Sequence, residues 1–228
     1  MQLSAKLIVV VGVLCAAMLA MGGLPLVTAH VHASKASIGY EHVTCGSVVK
    51  LTHAPTGAKL HSHEVKYGTG STQQSVTGFP QADDTNSYWT VRGPHDEYCE
   101  RGHPIKCGDV VRLTHLNTRR NLHSHQFQSP LSGLVEVSAF GEGGNGDAGD
   151  NWKAECTGSH WMRNADVRLR HVTTGQYLHI TGRHQFGRPI QGQHEVAAYA
   201  RPSNENVWRA EEGIYIKYER PETDEDDE

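Results

Sequence analysis

The clearest pattern along the chain is an alternation of positions with a period of two. Val49, Leu51 and His53 alternate with Lys50 and Thr52. This period places alternate side chains on one face of a β-strand. The same alternation recurs in two later stretches, Val111–His115 and Val167–His171. No segment after the apolar N-terminal stretch has a convincing helical period, so the pattern predicts an all-β protein.

The three stretches belong to an internal repeat. The sequences "VVKLTHAPTGAKLHSH", "VVRLTHLNTRRNLHSH" and "DVRLRHVTTGQYLHIT" align on three leucines that lie 62 and then 56 residues apart: Leu51, Leu113 and Leu169. Each copy continues through a valine-containing segment and a loop rich in Gly, Asp and Asn. Each then reaches a tryptophan: Trp89, Trp152 and Trp208. The constant order of these landmarks indicates three copies of one unit.

Each unit reads as about four short strands, which leave an apolar face open to water unless other units cover it. Three units of roughly 60 residues therefore favour closure around a pseudo-threefold axis. The predicted fold is a β-trefoil with repeats at about 38–99, 100–158 and 159–218. A three-bladed propeller would have fewer blades than is usual.

The turn after the first strand differs among the copies. "APTGA" and "VTTGQ" are typical hairpin turns, because glycine adopts positive φ at low cost. The middle copy has Arg119 in place of that glycine. The type of its turn stays open.

The cysteines follow the same register. Cys45 and Cys107 each precede the aligned leucine of their copy by six residues, and Cys99 and Cys156 follow the tryptophans. The third copy lacks both members and has Arg163 at the first position. We therefore expect disulfides within units, Cys45–Cys99 and Cys107–Cys156. Zinc ligation is the rival interpretation, but the spacings match no zinc pattern.

The two ends of the chain differ from the repeats in composition. Residues 1–29 have the pattern of a secretory signal peptide, with cleavage expected near 29–33; a retained membrane anchor is the alternative. No other stretch is long and apolar enough for a span. Residues 219–228 contain seven acidic residues, a density that predicts a solvated, disordered tail.

Histidines supply the candidate chemistry. Two "LHSH" motifs place histidine pairs on one face of a strand, where they could meet a metal or a polar ligand: His61 with His63, and His123 with His125. The third copy keeps only His179. Histidines in register with the apolar positions are expected to satisfy buried hydrogen bonds instead: His53, His115 and His171. Tyr67 is a candidate for stacking on a sugar.

The sequence contains no known catalytic signature. It has no G-x-S-x-G, H-E-x-x-H or P-loop motif, and "FGEGGNGDAGDN" reads as a loop between strands. We therefore assign no catalytic residue, no metal and no cofactor. The net charge of -4 lacks the positive excess that is typical of nucleic-acid-binding proteins.

Long stretches of the chain resemble the MIR-repeat family, and within it the stromal cell-derived factor 2-like proteins of the endoplasmic reticulum. The residues that carry this resemblance are "LTHAPTGAKLHSHEVKYGTGSTQQSVTG", "DDTNSYW", "VRLTHLNTRRNLHSHQFQSPLSGLVEVSAFGE", "GQHEVAAY" and "EGIYIK". The resemblance implies a non-enzymatic trefoil of three MIR repeats. It also implies a lumenal adaptor that works with a DnaJ-type co-chaperone and the Hsp70 BiP on unfolded clients.

Two alternative functions and one departure accompany the resemblance. The chain could instead be a carbohydrate-binding module for O-mannosyl glycans or a partner of a protein O-mannosyltransferase. It could also be a metal-binding protein built on the paired histidines. The sequence ends in "DEDDE" rather than in a KDEL-like retrieval signal. The expected location is the endoplasmic reticulum lumen, with secretion as the alternative.

Overall fold

The structure is a computed structural model and describes residues 39–219. The predicted signal peptide, its cleavage region and all but the first residue of the predicted acidic tail lie outside the described residues. Within 39–219, none of the helices has the length and hydropathy that a membrane crossing requires.

The described chain consists of thirteen short strands. The first repeat supplies β1 Val48–His53, β2 Lys59–Lys66, β3 Gln74–Phe79 and β4 Tyr88–Arg92. The second repeat supplies β5 Val110–His115, β6 Asn121–Gln128, β7 Val135–Phe140 and β8 Trp152–Cys156. The third supplies β9 Asp166–His171, β10 Tyr177–His179, β11 His194–Glu195, β12 Ala197–Tyr199 and β13 Trp208–Ile214. One 3-10 turn precedes the last strand of each repeat: Thr85–Ser87, Ala148–Asp150 and Asn204–Asn206.

Six of these strands form a closed antiparallel ring. Its order is β1–β4–β5–β8–β9–β13 and back to β1. Each repeat contributes its first and last strand. The inner strands form hairpins that pair with one another through β3–β7, β7–β12 and β11–β3. A six-stranded barrel with a three-hairpin cap is a β-trefoil, so the predicted fold is confirmed.

The third repeat departs from the other two in its hairpin. Its second strand, β10, has only three residues, whereas β2 and β6 have eight. The first two copies have "LHSH" at this point, whereas the third has "LHIT", and Ile180 of this motif is buried in the core. The strand therefore ends early. The partner strand is also divided into β11 and β12, which lie on either side of the buried Val196.

The repeated tryptophans lie at the centre of the barrel and are fully buried. Each indole N–H donates to the backbone carbonyl of a leucine in its own repeat, at 2.8, 2.9 and 3.1 Å: Trp89 to Leu60, Trp152 to Leu122 and Trp208 to Leu178. A buried indole N–H needs such a partner. The bond also ties the last strand of each repeat to its hairpin.

Two disulfides join Cys45 to Cys99 and Cys107 to Cys156, the pairs that the repeat register predicts. They span 54 and 49 residues, for which the chain-entropy model gives about 4 kcal/mol each. In the third repeat, Arg163 stands at the first cysteine position. Its guanidinium lies 3.9 Å from the ring centre of Tyr215, so a cation–π contact occupies this position.

The central tryptophan of the second repeat provides a test of the core. Trp152→Ala should lower the free energy of unfolding by about 3–5 kcal/mol, because it removes a fully buried side chain and leaves the Leu122 carbonyl without its donor. Urea unfolding followed by circular dichroism measures the loss. Phe127→Ala is the control, since Phe127 is 52% exposed. A loss below about 1 kcal/mol for Trp152→Ala would contradict this view of the core.

Candidate functional site

The histidines in register with the apolar positions join neighbouring repeats. His115 is fully buried, and its Nδ1 lies 2.9 Å from Thr118 Oγ1 in its own turn. Its Nε2 lies 2.9 Å from the backbone oxygen of Asn86, in the 3-10 turn of the preceding repeat. The ring also packs against Trp89 of that repeat, with centroids 5.0 Å apart. The same three contacts recur at His53 and His171.

The partners of these rings fix their protonation. A carbonyl oxygen can only accept, so Nε2 carries the hydrogen and Nδ1 accepts from the threonine hydroxyl. Burial lowers the pKa of His53 and of His115 to about 4 and lowers the pKa of His171 in the same direction. These imidazoles are therefore neutral at physiological pH and act as structural bridges.

The first histidine of each "LH" motif points at the 3-10 turn of its own repeat. His61 Nδ1 lies 2.7 Å from Asp84 Oδ2, and His123 Nδ1 lies 2.9 Å from Asp150 Oδ1. In the third repeat, the Asn206 amide lies 3.0 Å from His179 Nδ1. An aromatic ring covers each imidazole: Phe79, Phe140 and Tyr199. All three histidines are buried, and His61 Nε2 has no hydrogen-bond partner within residues 39–219.

His123 belongs to a group whose ligand atoms could in principle hold a metal ion. Its Nδ1 and one oxygen each of Asp147 and Asp150 lie within 4.8 Å of one another. The fully buried Asp150 carboxylate also accepts from the Asn121 amide and from the backbone N–H of Asp147. The bond between Asp147 and Asp150 belongs to the capping box of the 3-10 turn.

The third repeat builds the same box without carboxylates. Its members are Ser203 and Asn206. The carboxylate group around His123 therefore has a structural role that explains its geometry.

The second histidine of each pair has separate partners. His125 Nε2 lies 2.9 Å from Glu136 Oε1, whereas His63 Nδ1 accepts from the backbone N–H of Val65 at 3.2 Å. Within each pair the rings meet edge to face, with centroids 5.1 and 5.2 Å apart. The structure thus gives two histidine pairs, one on β2 and one on β6, each engaged with groups of its own surroundings.

Tyr67, the candidate for sugar stacking, lies in the interior. It is 5% exposed, and its hydroxyl lies within hydrogen-bonding distance of the backbone oxygens of Val76 and Val137, at 2.8 and 2.9 Å, which share its single hydrogen. Burial raises the pKa of its hydroxyl. The side chain connects β3 of the first repeat to β7 of the second, and its ring is withdrawn from solvent.

Two buried glutamates that the sequence analysis did not single out connect the hairpins of the cap. Glu136 on β7 is fully buried and accepts from Ser71, through its hydroxyl and its backbone N–H. Glu195 on β11 accepts from the backbone N–H groups of Leu131 and Ser132, at 2.7 and 3.0 Å. Each carboxylate thus binds the hairpin loop of the preceding repeat. In the sequence, a Glu stands directly before the aligned valine in two of the three copies. This repetition is the pattern from which the two buried glutamates could have been predicted.

Comparison with known proteins agrees with this architecture. The family model described as MIR domain matches residues 60–153. Stromal cell-derived factor 2 of Mus musculus is 58% identical over 175 residues, which cover 77% of this chain and 82% of that protein. The chain belongs to the stromal cell-derived factor 2 family.

Solved structures extend the comparison. The crystal structure of the SDF2-like protein from Arabidopsis thaliana covers 78% of this chain and 99% of that one, with 43% identity and a TM-score of 0.75. The S. cerevisiae protein O-mannosyltransferase Pmt1-Pmt2 complex bound to the sugar donor is 27% identical, with a TM-score of 0.68. This match covers 83% of this chain but 29% of that one. The stromal cell-derived factor 2 fold therefore also occurs inside a larger enzyme.

The bridging imidazoles of this stromal cell-derived factor 2 family member predict a dependence of stability on pH. Their folded pKa of about 4 lies below 6.5, the ordinary pKa of a histidine side chain, so the unfolded chain binds more protons between these values. Their contribution is complete above about pH 6.5 and is lost as pH falls toward 4. For each of His53 and His115 it amounts to about 3 kcal/mol at most.

Urea unfolding midpoints at pH 7.5, 6.5, 5.5 and 4.5 measure this effect. The midpoint should fall steadily below pH 6.5. His115→Gln should lower the midpoint at pH 7.5 and reduce its decline on acidification, because one titrating ring is gone. A midpoint that stays constant from pH 7.5 to 4.5 would disprove the assignment.

Proposed function

We propose that this protein is a non-enzymatic adaptor of protein quality control in the endoplasmic reticulum lumen. In this role it binds a DnaJ-type co-chaperone and acts with a BiP-type Hsp70 on unfolded clients. Membership of the stromal cell-derived factor 2 family supports the proposal. The observation that carries it is the 58% identity to Stromal cell-derived factor 2 of Mus musculus. Three of the four candidate histidines are bonded to carboxylates of the trefoil, so we propose that partners bind its outer surface.

The surface of the second hairpin is a suitable place for a protein partner. Phe127 at the end of β6 is 52% exposed, and Leu131 in the following loop is 40% exposed. When a partner covers large apolar side chains that are exposed on a folded protein, their removal from water makes the free energy of binding more favourable. We define these two residues as the hairpin patch and propose that it contacts the co-chaperone.

The disulfides support the proposed location. Two bridges within one small domain are typical of proteins that fold in an oxidising compartment, and the endoplasmic reticulum lumen is such a compartment. Secretion remains the alternative location. Fractionation of cells that express the full chain, with the protein followed in lumenal and medium fractions, separates the two.

Affinity purification from native endoplasmic reticulum extract tests the adaptor function. The full chain should retain a DnaJ-type protein and a BiP-type Hsp70, both detected by specific antibodies. The double variant Phe127→Ser, Leu131→Ser should retain at least fivefold less of the co-chaperone. Val172→Ser is the matched control, because Val172 is 51% exposed outside the hairpin patch. Recovery of neither chaperone by the unaltered chain would refute the function.

A carbohydrate-binding role is the second candidate. It is favoured by the likeness to the protein O-mannosyltransferase complex, a structure bound to a sugar donor. Because Tyr67 is buried, recognition would rest on polar groups and on other aromatic rings. A glycan array that includes mannosyl peptides tests this function. The absence of binding to every glycan on the array would refute it. A direct association with a protein O-mannosyltransferase would appear in the same affinity purification.

A further inference from the structure

The outer face of the barrel carries a charge pattern that breaks the threefold symmetry. At the junction of the second and third repeats, Glu155 lies opposite Arg168 in the β8–β9 ladder, and its Oε1 lies 3.8 Å from Arg170 Nη1. At the junction of the third and first repeats, Lys50 Nζ lies 2.9 Å from Glu212 Oε2. Both junctions therefore pair a cation with a carboxylate.

The junction of the first and second repeats has two cations instead. Arg92 on β4 lies directly opposite Arg112 on β5. Like charges at opposite positions of a sheet repel each other. Neither arginine forms an ion pair with any residue of the described range 39–219. Their observed bonds run to backbone oxygens, from Arg92 Nη1 to Gly144 at 3.3 Å and from Arg112 Nε to Gly93 at 2.9 Å.

Arg112 is held in this position although it is largely withdrawn from water. It is 8% exposed, and burial, with a further contribution from Arg92, lowers its pKa. The carboxylates of Asp150 and Asp96 act in the opposite direction. A guanidinium has five N–H donors in a planar fork that matches carboxylates. Within residues 39–219, the bonds to Gly144 and Gly93 use one donor atom of each of the two guanidinium groups.

An open cleft of about 440 Å³ runs over these two arginines. Two more arginines line it, Arg101 and Arg119, together with a single acidic residue, Glu97. The lining therefore has an excess of three positive charges. Arg112 lies in the middle of β5 and Arg119 lies in the turn beyond its end, so the cations are distributed along the cleft. A ligand with several spaced anionic groups matches this distribution better than one compact ion.

The backbone at Arg119 provides an independent observation. Its φ is +58°, and the equivalent turn residues in the other repeats are Gly57 at +73° and Gly175 at +70°. Positive φ is costly for a residue with a side chain. A Cβ added at Gly57 would meet nothing within 4 Å, so packing does not require a side chain in this turn. Strain that packing does not explain often accompanies a functional requirement.

We propose that this arginine cleft binds an acidic peptide segment whose carboxylates pair with the guanidinium groups of Arg92, Arg112 and Arg119. Two sources have this chemistry. One is the acidic stretch of this chain itself, residues 222–228, "ETDEDDE", in which six of seven residues are acidic. The other is an acidic segment of a second protein.

Fluorescence anisotropy with a labelled peptide of the sequence PETDEDDE tests the proposal. The protein is the full-length chain in which the six acidic residues of 222–228 are replaced by their amides. We expect saturable binding that weakens at least tenfold between 50 and 300 mM KCl, because the contacts are ionic. Arg92→Gln and Arg119→Gly should each weaken it at least fivefold. The amide peptide PQTNQNNQ should not bind.

Matched controls keep the result interpretable. Arg168→Gln removes the corresponding cation at the junction of the second and third repeats and should leave the affinity unchanged. Arg119→Gly restores the glycine of the other two turns, so its urea midpoint should equal or exceed that of the parent. Failure of the peptide to bind, or an equal loss in Arg168→Gln, would overturn the proposal.

The unaltered full chain distinguishes the two sources. Weaker binding of the peptide by this chain than by its amide variant assigns the cleft to the acidic residues of the chain itself. Equal binding assigns it to a segment from another protein. Either result is distinct from the co-chaperone assay, which uses a different surface and different variants.

Discussion

The trefoil depends on neutral imidazoles that bridge successive repeats. Each of His53, His115 and His171 joins a threonine of its own turn to a carbonyl of a neighbouring repeat, while its ring packs on that repeat's tryptophan. The neighbour of the first repeat is the third, which closes the ring. The contact satisfies a carbonyl at a 3-10 turn and fills space beside the indole. Because each repeat depends on its neighbour for this contact, no single repeat can complete its own core.

Much of this arrangement could be predicted from the sequence, because it follows from repetition. The alternation around Leu51 predicts strands, and three copies of it predict closure around an axis. The absence of both cysteines from the third copy predicts bridges within the first two. A repeated histidine in the register of buried leucines likewise predicts a structural role for His115.

Other features depend on contacts between distant residues, which one sequence does not reveal. Glu136 reads as a charged residue on a strand, yet it is buried because the loop of another repeat supplies its donors. Tyr67 reads as a surface aromatic, yet the cap of three hairpins closes over it. The turn type at Arg119 could not be predicted from the sequence. Whether a non-glycine residue adopts positive φ depends on its surroundings, and Arg119 does adopt it. For Glu136 and Tyr67 the decisive partner lies in another repeat of the chain.

The pairing of β1 with β13 sets the order in which the barrel can be completed during synthesis. A ribosome delivers residue 48 long before residue 214, so the first strand must wait for the last before the ring can close. Both disulfides lie before residue 157 and each is confined to one repeat. Oxidation of the cysteines can thus precede ring closure, and a nascent chain could enter its final folding step with its covalent cross-links already in place.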